Sequence, residues 1–192
     1  MTTSQKAYLF NIISTKNKKY VPIFFIATLF LIHFFASYPG AVSPDTLDQF
    51  RQSLLFNFSS HHPPVMAMLW SLLNYIYPGP QTMLFVHLSL LWLSVGFLYF
   101  ADKTNKYRWI YFIIPFLPSI FVQSANIWKD IAFGNSFLFV FSVSVYYLYR
   151  RNKTSISMFL ISLLIVFYGA SVKFQAQFIL PFFIFFMFLA IL

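Results

Sequence analysis

Asp45 and Asp48, two of only four acidic residues in the chain, stand three positions apart in Tyr38-Pro-Gly-Ala-Val-Ser-Pro-Asp-Thr-Leu-Asp-Gln-Phe50. On a helix that spacing turns both carboxylates to one side, where they suit proton transfer or the holding of a cation. Many surface helices carry the same pair as capping and solvated charge, so the spacing needs company to mean chemistry. Other groups supply it. Arg51 follows, then His61 and His62 in Ser59-Ser-His-His-Pro-Pro64, Lys129 and Asp130 in Asn126-Ile-Trp-Lys-Asp130, and Lys173 beside Gln175 and Gln177. Imidazoles can take phosphate or metal, or serve only structure, and ammonium groups can meet an anion or snorkel to a membrane surface. The chain has no cysteine, which removes disulfides, thiolate ligands and thiol nucleophiles.

Long apolar segments must position these residues. Hydrophobic residues make up 59% of the chain and charged ones 9%, with a mean hydropathy of +0.72. Soluble domains carry about 25% charged residues, so the bilayer is the expected solvent. The net charge of +9 is not laid out as a nucleic-acid face. Lys6, Lys16, Lys18 and Lys19, then Lys103, Lys106 and Arg108, then Arg150, Arg151 and Lys153 each border an apolar run, the pattern of cytoplasmic loops. Crossing the hydrocarbon takes about 20 apolar residues. Spans are therefore expected near 21–38, 81–100, 109–124, 127–149, 156–172 and 177–192, the third kinked by Pro115 and Pro118.

Residues 64–77 are apolar but too short to span, and prolines bracket them. Laying them in the interface puts all three basic clusters on the cytoplasmic side, whereas a span there would split them. The first span is read as an uncleaved helix, because a long polar region precedes it and no small-residue cleavage site follows. Residues 5–15 are expected to lie on the membrane surface. The expected fold is all-α, a polytopic helical membrane protein of about six spans with two interfacial helices in its first external loop. It forms a single membrane domain over 1–192, with 1–20 cytoplasmic, 39–80 external and 81–192 holding the remaining spans.

This topology sorts the charges. Asp45, Asp48, Arg51, His61, His62, Lys129, Asp130 and Lys173 fall on the external side, and Asp102 lies among lysines on the cytoplasmic side. Charge at membrane depth costs roughly 2.5–3.5 kcal/mol at a helix centre and usually marks function. Ser43 is a good N-cap, Pro44 suits the first helical position, and Asp45 falls in the first turn. The helix is expected to run to about Phe58. At about 100° per residue, Asp45, Asp48, Gln49 and Gln52 share one face, with Leu47, Phe50 and Leu54 opposite. His33 and His87, alone within spans, read as packed and hydrogen-bonded.

In their order, YPGAVSPDTLDQF, HHPPVMAMLWSLL and IWKDIAF resemble the N-terminal half of GT-C-type membrane glycosyltransferases. That superfamily includes the protein O-mannosyltransferases and the aminoarabinose transferases of lipid A. The resemblance extends over about residues 20–180, loosely outside these motifs. It implies an inverting transfer of sugar from a polyprenyl-phosphate carrier to a lipid or glycan hydroxyl, on the external face of a bacterial inner membrane, with the N-terminus cytoplasmic. It implies Asp45 as general base, with Asp48 second. Lys129, Lys173 and Arg51 would neutralise the departing phosphate, joined by His61 or His62, with Asp130 beside them. Some GT-C enzymes use a divalent metal and others do not, so no cofactor is assigned. The implied partners are the donor, the acceptor and membrane lipids, with no nucleic acid.

GT-C enzymes typically carry more spans, and this sequence stops at Leu192 inside an apolar run. The expectation is therefore an N-terminal portion or a truncated chain. Two rival readings are a lipid-carrier transporter or assembly subunit, which would line a through-path with polar groups, and an inactive remnant.

Overall fold

The computed structural model describes residues 3–59, 63–102, 105–150 and 155–191, with side chains from residue 20 to residue 190. The described residues form eight α-helices: α1 (Thr3–Ser37), α2 (Pro44–Leu55), α3 (Val65–Ile76), α4 (Pro80–Ala101), α5 (Pro118–Ser124), α6 (Lys129–Arg150), α7 (Ile156–Val172) and α8 (Leu180–Ile191). Short 3-10 helices cover Arg108–Phe112, Ile114–Phe116 and Phe174–Phe178. Among the described residues, three helices are long and apolar enough to cross a membrane: Tyr20–Ser37 within α1, α4 and α6. Helices α3, α7 and α8 are apolar but shorter.

The outer surface is rich in large apolar side chains, among them Phe24, Phe35, Leu72, Leu164, Phe167 and Phe182. Water penalises such a belt and hydrocarbon does not. Inside it, α4 is the most enclosed of the three long helices, and α6 packs along it and against α7. Buried Ser94, Ser136 and Ser142 each donate to the carbonyl four residues back, at 2.6, 2.6 and 2.7 Å, so their hydroxyls are satisfied within an apolar interior. Gly169 lets α7 approach α6, since a Cβ there would stand 2.7 Å from that of Ser136.

The expected third span is not one continuous helix. Pro115 and Pro118 lack the N–H groups a continuous helix needs, and two 3-10 helices followed by α5 take its place. His33 secures this segment. Trp92 Nε1 donates to His33 Nδ1 at 3.2 Å, Ser124 Oγ lies 2.9 Å from Nε2, and the Phe121 ring stacks on the imidazole at 4.7 Å. His87 is equally enclosed, but among the described residues its ring nitrogens have no hydrogen-bond partner.

Other boundaries shift modestly. Residues 5–15 continue straight into α1 instead of forming a separate surface segment. Helix α2 stops at Leu55, short of Phe58, because Phe56 takes a left-handed conformation with φ 50°. Helix α8 begins at Leu180, after the 3-10 helix that follows Lys173.

Candidate functional site

The link from α1 to α2 is sewn to the start of α6 by backbone hydrogen bonds. Ala41 N–H donates to the Ala125 carbonyl at 2.8 Å, and Ile127 N–H donates to the Ala41 carbonyl at 3.0 Å. Gly40 makes this approach possible. Its φ is +104°, and a Cβ there would stand 2.6 Å from Ile127 Cδ1. Gly40→Val is expected to cost about 1–3 kcal/mol through left-handed strain and this collision, read as a lower midpoint of thermal unfolding in detergent.

Side chains extend the seam. Ser43 Oγ accepts from Thr46 N–H at 3.2 Å, capping α2, and Thr46 Oγ1 donates to the Ile127 carbonyl at 2.7 Å. Beneath them Met66, Trp70, Met83, Leu84, Leu88 and Ile127 form a fully enclosed cluster, onto which Phe50 packs with ring centroids 4.9 Å from Trp70. The first turns of α2 and α6 are thereby held side by side on a rigid floor.

Two cavities open where these turns meet. One, of about 340 Å³, is walled by Ser43, Pro44, Asp45, Thr46, Gln49, Trp128, Lys129 and Asp130. The other, of about 310 Å³, is walled by Asp45, Pro63, Lys129, Asp130, Val172, Lys173, Phe174 and Gln175. Asp45, Lys129 and Asp130 belong to both. Lys173 forms an ion pair with Asp130, joining the end of α7 to the start of α6. Groups from positions 45, 129, 130 and 173 thus meet at one place. Two helix N-termini flank it, and their partial positive charge favours anions.

Not every expected residue joins them. Asp48 lies outside both cavities, where its Oδ2 accepts from Gln52 Nε2 at 2.6 Å. Gln52 also accepts from Ser59 N–H through Oε1 at 3.0 Å, so Asp48 helps tether the strip after α2. Arg51 is exposed and lines neither cavity. His61 and His62 lie outside the described residues. The inward face of α2 is Thr46, Gln49, Gln52 and Ser53, while Leu47, Leu54 and Leu55 are exposed. The helix is rolled from the expected orientation, which carries Asp48 to its outer flank and turns Phe50 partly inward.

Gln49, expected on the same face as Asp45 but not among the expected site residues, lines the first cavity. Gln49 is 2% exposed, and its side-chain carbonyl has no hydrogen-bond partner among the described residues. A buried amide oxygen beside a cavity is an acceptor for a ligand hydroxyl or N–H. Gln49→Leu should leave thermal stability equal or higher, since it removes an unsatisfied acceptor, read as the midpoint of thermal unfolding in detergent. Among the described residues no three carboxylate or imidazole groups converge as a metal-ligand set, and Asp45 and Asp130 are the carboxylates at the cavities. Comparison of the chain with protein-family models, with curated proteins and with solved structures finds no match.

Proposed function

We propose that the chain is a polytopic membrane glycosyltransferase of GT-C type, working at the end of the helix bundle where Asp45, Lys129, Asp130 and Lys173 meet. The observation that carries this reading is the sharing of both cavities by one carboxylate from α2 and a lysine–aspartate pair from α6. The donor is a sugar on a polyprenyl phosphate, and the acceptor is a lipid or glycan hydroxyl. Asp45 takes the hydroxyl proton as the acceptor oxygen bonds to the anomeric carbon. The bond from that carbon to the phosphate oxygen breaks, its electron pair leaves with the polyprenyl phosphate, and the anomeric centre inverts.

Lys129 neutralises the charge growing on the phosphate. Its position supports that role. A lysine at the start of a helix faces the positive end of the dipole, at a cost of about 0.3–1 kcal/mol, so the dipole of α6 does not account for Lys129. Lys173 is paired with Asp130 and walls only the second cavity, whereas Lys129 lines both. In this reading about six segments cross the inner membrane with the N-terminus cytoplasmic, and α2 and α3 lie in the external interface. The exposed Leu47, Leu54 and Leu55 on α2 suit contact with lipid there.

The test is turnover of defined polyprenyl-phosphate sugars by the purified chain in proteoliposomes. Release of polyprenyl phosphate that depends on an added acceptor is the expected result. A panel of such donors left intact with every acceptor class, by protein shown to be folded, would remove the reading.

A further inference from the structure

We propose that a second site, at the far end of α4 and α6, holds the phosphate of an anionic phospholipid. A cavity of about 590 Å³ opens there between α1, α4 and α6, and Arg108 and Arg150 supply its charge. It lies the length of α6 away from Lys129, about 30 Å for a helix of 22 residues. That distance matches the hydrocarbon thickness of a bilayer, so the two sites face opposite leaflets.

Both guanidinium groups are held in place before any ligand arrives. Arg150 donates from Nε and Nη2 to the Phe100 carbonyl at 2.9 and 2.5 Å, satisfying an orphan acceptor at the end of α4. This spends two of its five N–H donors and leaves the others for a ligand. Its Cζ also lies 5.4 Å from the Tyr146 ring, and Arg108 Cζ lies 4.6 Å from the Tyr99 ring. Among the described residues neither arginine has a carboxylate partner. A fixed pair of guanidinium groups without counter-charge is suited to a phosphate diester or monoester.

The remaining wall selects the source of that phosphate. Ile23, Phe97, Phe100 and Tyr146 give an apolar flank that continues onto the exposed face of α1. A soluble phosphate would leave this flank unused, whereas an acyl chain lies along it. Basic pockets between transmembrane helices recognise lipid headgroups by this combination.

Native mass spectrometry of the full chain, released from detergent after incubation with phosphatidylglycerol or phosphatidylcholine, tests the proposal. The wild-type chain should retain phosphatidylglycerol in preference, and the R108Q/R150Q double variant should lose that preference about tenfold. The R108K/R150K variant should keep part of it. Should the double variant fail to elute as a single species, Arg108→Gln alone, which breaks no bond to the backbone, must still weaken retention. Equal retention of the two lipids by the wild type, or an unchanged preference in a folded glutamine variant, overturns the site. Displacement of the lipid by excess inorganic phosphate alone overturns the lipid assignment; the expected result is that phosphate leaves it bound.

Discussion

Replacing Asp45 by asparagine is expected to lower glycosyl transfer by about 10²–10⁴-fold, the usual contribution of a positioned general base. The amide keeps the shape of the side chain and the first turn of α2, so thermal stability and donor KM should change little. Asp48→Asn is the matched control. It stands one helical turn away and bonds to Gln52 outside both cavities, so transfer should fall less than tenfold while the tether to Ser59 loosens. Initial rates of polyprenyl-phosphate release from both variants decide the matter. If Asp45→Asn keeps a wild-type rate, or Asp48→Asn is the more damaged, the base has been assigned to the wrong carboxylate.

Lys129→Met is expected to produce the other large loss, about 10²–10³-fold in kcat, the scale of removing one preorganised charge from the leaving group. Methionine keeps the aliphatic reach of lysine and removes the unfavourable dipole contact at the start of α6. Lys173→Met should cost less in rate, because Lys173 walls only one of the two cavities that Lys129 lines. It should cost more in stability, since it strips the partner from Asp130 and unfastens α7 from α6. The contrast is read by measuring kcat and thermal unfolding on the same two preparations. A kcat for Lys129→Met within a few-fold of wild type would remove its role at the phosphate.

The elements were largely legible from the residues, and their meeting was not. Apolar runs bounded by lysine and arginine give α4, α6 and α7 nearly to the residue, because a 20-residue hydrophobic stretch has few other fates. Ser43-Pro44-Asp45 announces the start of α2 through its capping chemistry. The breaking of the third segment exceeds the expected kink, since two prolines three positions apart disrupt adjacent turns.

The roll of α2 could not be read from a hydrophobic pattern. The pattern separates buried Gln49 from exposed Leu47 and Leu54, but it does not show that Asp48 falls on the outer flank or that Phe50 turns partly inward. Nor could the convergence of Asp45 with Lys129. It rests on the backbone pairing of Ala41 with residues 125–127, made by main-chain groups that every residue possesses. Gly40 is the one sequence trace of that contact, and a glycine after proline suggests a turn before it suggests a docking point.

A donor bound in the cavities bounded by Asp45, Lys129 and Lys173 would shield their walls from reagents in solution. The chain has no cysteine, so single thiols can be introduced without removing others. Gln175→Cys places one in the wall of the second cavity, and Arg51→Cys places one on the exposed flank of α2 outside both cavities. Each variant, reconstituted in vesicles, is treated with a membrane-impermeant maleimide with and without polyprenyl-phosphate sugar. Donor at about ten times its Kd is expected to slow labelling of Gln175→Cys about tenfold and to leave Arg51→Cys unchanged. Equal labelling of Gln175→Cys with and without donor, or equal protection of both positions, would contradict donor binding in these cavities.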